Sequence, residues 1–169
     1  KAKIKILDIG TGSGAIAISL AREFLDASIV AIDISKQALK VAKKNIIDKR
    51  LENRIHLKNT TIDLINEDFD LIVANPPYIS KNEFSNISRE IKDFEPLIAL
   101  DGGIDGLMFY RDFAINVPRL MKPNSYFIFE IGETQFDACR EIFANSVLKF
   151  EKKVSDLQKK DRIMIFSKI

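Results

Sequence analysis

Asp70-Leu71-Ile72-Val73-Ala74-Asn75-Pro76-Pro77-Tyr78-Ile79 is the stretch on which the reading of the fold turns. Its first half is a short apolar run rich in branched residues, the pattern of a strand buried on both faces of a parallel sheet. The strand has to stop at the prolines, because Pro76 and Pro77 lack the N–H a ladder needs and each forces an extended residue before it. Asn75 is thereby placed at the carboxyl end of a central strand, followed by a stiff turn and Tyr78. In open α/β sheets that edge is where ligands bind.

An Asn-Pro-Pro-Tyr turn has a definite chemical use. The Asn75 side-chain carbonyl accepts one hydrogen bond, and the Pro76 backbone carbonyl, which no ladder partner claims, accepts a second. Two such oxygens suit the two N–H bonds of one planar amino group. Tyr78 offers a ring to the flat group that carries the nitrogen. Asn75, Pro76, Pro77 and Tyr78 are therefore the candidate substrate-binding residues, and Asn75, Pro76 and Tyr78 the candidate catalytic ones. An ordinary turn after a buried strand has the same composition, so the rest of the chain must supply the context.

Upstream, Ile4 to Ile9 carries a strand signal that runs into Gly10-Thr11-Gly12-Ser13-Gly14 and then into the helix pattern Ala15 to Ala21. Strand, glycine loop and helix form the nucleotide-binding opening of a βαβ unit, where the backbone turns tightly and the helix offers free N–H groups. The next strand, Ser28 to Ile32, ends in Asp33, an acidic residue placed to grip ribose hydroxyls. Two cofactors compete for this arrangement. Gly10, Gly12 and Ala15 fit the dinucleotide pattern G-x-G-x-x-[GA], whereas Asp8, Gly10, Gly12 and Gly14 fit D-x-G-x-G-x-G, the S-adenosylmethionine loop.

Ser35 is the expected N-cap of a helix through Ile46, and the basic residues from Lys36 to Arg54 read as its solvated face, interrupted by Asp48 and Glu52. Ile55-His56-Leu57 is a third strand, with His56 at its rim. The long segment from Ser80 to Gly106 has weak periodicity and is expected over the substrate side of the sheet. A helix over Leu107 to Leu120, ended with the help of Pro118 and Pro123, a fifth strand from Ser125 to Ile131 and a helix from Gln135 to Asn145 follow. Cys139 in that last helix is read as a packing residue. Lys149 to Val154 and Arg162 to Ser167 are joined by a connection too short for a crossover helix, so they pair antiparallel. The sum is an α/β fold with a seven-stranded, mostly parallel sheet, one reversed strand and helices on both faces, as in class I, Rossmann-like methyltransferases.

The 169 residues, 46% apolar and 30% charged, suffice for one domain spanning 1–169 and burying about two-thirds of its unfolded surface. A net charge of +2 gives no strong footprint for nucleic acid, and no apolar run approaches membrane length. One cysteine and one histidine, far apart, argue against a disulfide or a zinc site, and a cytoplasmic monomer is expected. The abrupt start at Lys1 reads as the edge of a fragment.

Taken together, Asp8 to Gly14, Asn75 to Ile79, Phe94-Glu95-Pro96-Leu97, Asp105-Gly106-Leu107 with Tyr110, Glu130-Ile131-Gly132 and Asp161-Arg162 resemble the HemK/PrmC protein-(glutamine-N5) methyltransferases in order and spacing. Members of that family methylate the side-chain amide of the glutamine in the Gly-Gly-Gln motif of peptide chain release factors. The resemblance implies that Asp8, Gly10, Thr11, Gly12, Ser13, Gly14, Asp33 and Asn75 line an S-adenosylmethionine site, from which S-adenosylhomocysteine leaves. It implies that Asn75 and Pro76 receive the glutamine amide with Tyr78 against it. The family often has an acidic residue near the adenine, where this chain reads Asn59-Thr60-Thr61, so Thr60 is the candidate there. The family's N-terminal helical docking domain has no counterpart in these residues. Three rival readings are an adenine-N6 or guanine-N2 methyltransferase acting on DNA or RNA, which expects a basic groove, a NAD-binding oxidoreductase, and a non-catalytic methyltransferase-like binding module, which would have no use for the intact Asn75 to Tyr78 turn.

Overall fold

Among the described residues, seven strands and four α-helices are arranged so that each of the first parallel strands is followed by a segment that returns across the sheet. They are β1 (Lys5–Ile9), α1 (Ala15–Glu23), β2 (Ser28–Asp33), α2 (Lys36–Asp48), β3 (Ile55–Asn59), β4 (Phe69–Ala74), α3 (Met108–Leu120), β5 (Met121–Glu130), α4 (Phe136–Phe143), β6 (Lys149–Ser155) and β7 (Asp161–Lys168). The structure is a computed structural model and describes residues 3–86 and 99–169, without the side chains of 85 and 86. The Phe94-Glu95-Pro96-Leu97 motif lies outside the described residues.

The strand order is β3-β2-β1-β4-β5-β7-β6. β7 runs antiparallel to both β5 and β6, and every other pairing is parallel. A NAD domain that repeats its βαβ half would not close this way. The order reverses between β1 and β4, and such a switch point opens a crevice beyond the carboxyl ends of the strands.

Small residues let α1 and α2 lie close on one face of the sheet: Ala17, Ala21 and Ala42, with Ile46, pack against Ile6, Ile29 and Ala31. The other face is aromatic. Tyr110 and Phe113 of α3 and Phe143 of α4 bury themselves against Phe127, Phe129 and Phe166. Phe129 sits at the centre, with ring centroids 4.6 Å from Phe127, 5.4 Å from Phe143 and 5.9 Å from Phe166. Burying each such side chain contributes roughly 1.5–3 kcal/mol before entropy is subtracted. Cys139 is buried in this layer, and burial pushes its thiol up to about 12.

Two details differ from expectation. α3 ends at Leu120 as expected, with Pro118 in its last turn, and Lys168 Nζ donates to the carbonyls of Pro118 and Met121 there. β5 therefore starts at Met121, ahead of Ser125, and takes Pro123 into an irregular stretch where Phe69 pairs with Met121 but Leu71 pairs with Tyr126. Arg54 is no part of a solvated basic face. Its guanidinium donates to the carbonyls of Ala21, Phe24 and Ala27, tying down the C-terminal end of α1.

Candidate active site

Strand register fixes what the carboxyl edge of the sheet presents. Ile9 pairs with Ile32 on one side and Ala74 on the other, and Ala74 pairs with Phe129. The residues that follow, Asp33, Gly10, Asn75 and Glu130, therefore leave four adjacent strands at the same level. With about 4.8 Å between neighbouring strands, the glycine loop and the Asn75 turn begin side by side.

The glycine loop is held from below and open above. Thr11 N–H donates to Ile32 O at 2.9 Å, and Asn45 Nδ2 donates to Ser13 O at 2.9 Å. Gly10 and Gly12 have φ of 69° and 56°, yet a Cβ on Gly10 would meet nothing within 4 Å and one on Gly12 only Gly10 O at 3.9 Å. Packing is thus not why these two positions lack a side chain. A positive φ and an uncovered backbone face are what remain, and both are the needs of a loop that lies against a ligand. Gly14 differs, since a Cβ there would press on Ala42 Cβ at 3.3 Å.

Asp8 lies beneath the loop, fully buried. Its Oδ2 accepts from Thr11 Oγ1 at 2.6 Å, while Oδ1 has no hydrogen-bond partner among the described residues. Burial pushes the carboxyl up to about 6, the Thr11 hydrogen bond and the Ala17 amide pull against this, and the Asp33 charge adds to it. Asp8 and Thr11 accordingly shape the loop from its buried side. Asp33 Oδ2 accepts from Gly12 N–H at 2.9 Å and Oδ1 from Ser35 N–H at 2.8 Å, so the carboxylate is fixed at the loop's rim with lone pairs to spare. Asn59 Nδ2 donates to the carbonyls of Asp33 and Ile34, both at 2.9 Å, and so holds the end of β2. Thr60, half-buried beside it, turns its hydroxyl to Thr61 O at 3.3 Å.

At the end of β4, Asn75 is exposed and Pro76 buried. Neither the Asn75 side chain nor the Pro76 carbonyl hydrogen-bonds another described residue. Tyr78, by contrast, is held at both ends. Its hydroxyl donates to the half-buried Glu130 carboxylate, and its backbone carbonyl accepts from Gln135 Nε2 at 3.0 Å. Burial raises the Glu130 pKa, against which the Arg162 charge and the Tyr78 hydrogen bond both act. A cavity of about 360 Å³ opens on the far side of Tyr78, lined among others by Glu83, Gly132, Gln135 and Arg162.

The segment that returns to this turn packs without slack. Ile79 pairs with Asp101, and Cβ atoms on Gly102 or Gly106 would strike Tyr78 backbone atoms at 2.8 and 2.5 Å. The family resemblance singled out Asp105-Gly106-Leu107 and Glu130 to Gly132 but gave them no task, and the sequence reading missed Gln135. The only signal for Gln135 was its place three residues after Gly132.

A family model described as methyltransferase small domain matches residues 1–93. The fold and the loop together define a class I methyltransferase domain, and the chain belongs to the methyltransferase small domain family. It is similar to the bifunctional methyltransferase of Rickettsia felis, 42% identical over 167 residues that cover 98% of this chain and 32% of that protein. It is similar also to the release factor glutamine methyltransferase of Fusobacterium nucleatum subsp. nucleatum, 38% identical over 165 residues that cover 96% of this chain and 47% of that protein. The chain thus spans about a third of the first relative and about half of the second. Among solved structures, a SAM-dependent methyltransferase from Aquifex aeolicus is similar in fold, with a TM-score of 0.68 at 14% identity over 100% of this chain and 84% of that one. Among the described residues no helix is long and apolar enough to cross a membrane.

Proposed function

We propose that the chain is the catalytic domain of a protein-(glutamine-N5) methyltransferase that uses S-adenosylmethionine and modifies the Gly-Gly-Gln glutamine of a peptide chain release factor in the cytoplasm. The observation that carries this reading is the register of the strand ends, by which Asn75 and Pro76, whose side-chain and main-chain carbonyls bond no other described residue, follow β4 one strand away from an open glycine loop. The residues suit the cofactor. Gly10 to Gly14 would lie along its amino-acid end and Asp33 would accept from the ribose hydroxyls, with Asp8 and Thr11 shaping the loop and Thr60 at the adenine side. When bound, S-adenosylmethionine supplies an electrophilic methyl group on a positively charged sulfur.

The chain's own residues deal with the nucleophile. An amide nitrogen is weak because its lone pair is delocalised into the carbonyl. Asn75 Oδ1 and the Pro76 carbonyl accept its two N–H bonds, which raises electron density on nitrogen and turns its lone pair toward the glycine loop. As the N–C bond forms, positive charge grows on nitrogen and both acceptors strengthen; one of the held protons then leaves to water. The Tyr78 ring, fixed by Glu130, packs against the planar carboxamide. No strong base is needed.

Incubation of the whole protein with methyl-labelled donor, a release factor, tRNA and DNA tests the substrate class. Label is expected on the release factor; label on a nucleobase alone would favour the amino-group methyltransferase on nucleic acid.

A further inference from the structure

Gln135 spends every hydrogen-bonding capacity of its amide on the walls of the site. Nε2 donates to Tyr78 O at 3.0 Å and to Gly106 O at 3.2 Å, while Oε1 accepts from Gly132 N–H at 3.0 Å and from Tyr110 Oη–H at 3.1 Å. Chemistry fixes the orientation of the amide, since the two carbonyls can only accept and the Gly132 amide can only donate. Four segments that are far apart in sequence meet here: the Asn75 to Tyr78 turn, the Asp101 to Leu107 loop, the end of β5 and the first turn of α3. Tyr110, which closes the network, is fully buried and also reaches Glu130 O at 3.4 Å.

The surrounding backbone approaches the amide so closely that only glycine fits at two of its neighbours. A Cβ on Gly106 would stand 2.6 Å from Gln135 Nε2, and one on Gly132 would stand 2.8 Å from Gln135 Oε1. Prolines 76 and 77 stiffen the turn along the chain, but they do not set its height above the sheet. The bond from Gln135 ties the Tyr78 carbonyl, two residues beyond the Pro76 oxygen, to the first residues after β5, beside the backbone bonds that Ile79 makes with Leu100 and Gly102.

We propose that Gln135 is a positioning residue, which sets where the Asn75 and Pro76 oxygens stand by holding the Tyr78 carbonyl. This rests on the reading of that turn as the amide site. Loss of Gln135 falls on turnover more than on cofactor binding, because Gln135 touches neither the glycine loop nor Asp33 among the described residues.

Two variants of the whole protein separate positioning from folding. Gln135→Met keeps the length and removes all four bonds. Gln135→Glu places a carboxylate oxygen against two carbonyls, but once protonated it again donates to one of them. With S-adenosylmethionine and a release factor, kcat is expected to fall about 100-fold in Gln135→Met, the scale of a small misplacement of reacting groups. Cofactor affinity by calorimetry should stay within about threefold of the parent, well under the tenfold that corresponds to 1.4 kcal/mol. The activity of Gln135→Glu relative to the parent should rise as pH falls, and that of Gln135→Met should not.

A readout without substrate runs beside these. The protein has three tyrosines and no tryptophan, so ring-labelled tyrosine gives three resolvable NMR signals. The Tyr78 signal should shift or broaden in Gln135→Met while that of Tyr126 stays. An unmoved Tyr78 signal, unchanged kcat, cofactor affinity falling in step with kcat, or variants that fail to fold at every pH would each overturn the assignment. A moved Tyr78 signal in a protein that never methylates a release factor would sustain it and sink the substrate reading instead.

Discussion

Asp33 Oδ2 accepts a hydrogen bond from the Gly12 amide at 2.9 Å, across twenty-one residues of sequence. The carboxylate thus fixes the glycine loop to the end of β2 and faces the same opening. Asp33→Asn keeps the size and removes the charge, and hydrogen bonds to a charged group are worth about 1.5–3 kcal/mol each. Calorimetry with S-adenosylmethionine should show affinity about tenfold to a hundredfold weaker; an unchanged affinity would remove Asp33 from the cofactor site.

The glycines of the loop should separate by function. In Gly12→Ala the new methyl group meets open space, so beyond the about 1–2 kcal/mol of stability that a side chain costs at a φ of 56°, cofactor affinity should also fall. In Gly14→Ala the methyl group meets Ala42 at 3.3 Å as well as a φ of 82°, so stability should fall further than in Gly12→Ala while affinity falls less. Thermal melting and calorimetry on both variants check this. The opposite pattern would mean that the open face is not where a ligand lies.

Asp8 makes stability depend on pH in a definite direction. Its carboxyl, raised to about 6 in the folded chain from 3.8, stays protonated there after the unfolded chain has released its proton. Stability therefore falls as pH rises from about 4 to about 6, by an amount on the order of 2–3 kcal/mol, and this contribution is level above that. Asp8→Asn cannot ionise. Urea denaturation across pH 4–8 should show its stability advantage over the parent growing through that window, whereas parallel profiles would show that Asp8 titrates normally.

Local chemistry made much of this legible in the sequence. Ser35 does cap α2, accepting from Ala38 N–H at 3.2 Å, and the closing pair does run antiparallel. The glycine loop and Asn75 do sit at strand ends, because glycine and proline act on the backbone beside them. What the sequence concealed depends on distant partners. Arg54 looked like one more basic residue until its three carbonyl partners were in view. Gln135 is the clearest case: its neighbours in space lie 57, 29 and 25 residues away in the chain, and no period or motif announces such a meeting. His56, exposed on β3, sits at the rim where alternation put it.

The amide-catching role of the turn is tested most directly by Asn75→Ala, whose side chain is exposed and whose loss should leave the fold intact. Methyl transfer to a release factor and calorimetric affinity for S-adenosylmethionine are measured on the same preparation. Turnover is expected to fall by a factor of about 100 or more, in line with removal of one preorganised transition-state partner, while affinity changes little. Equal losses in both measurements, or full turnover without the Asn75 oxygen, would contradict the account.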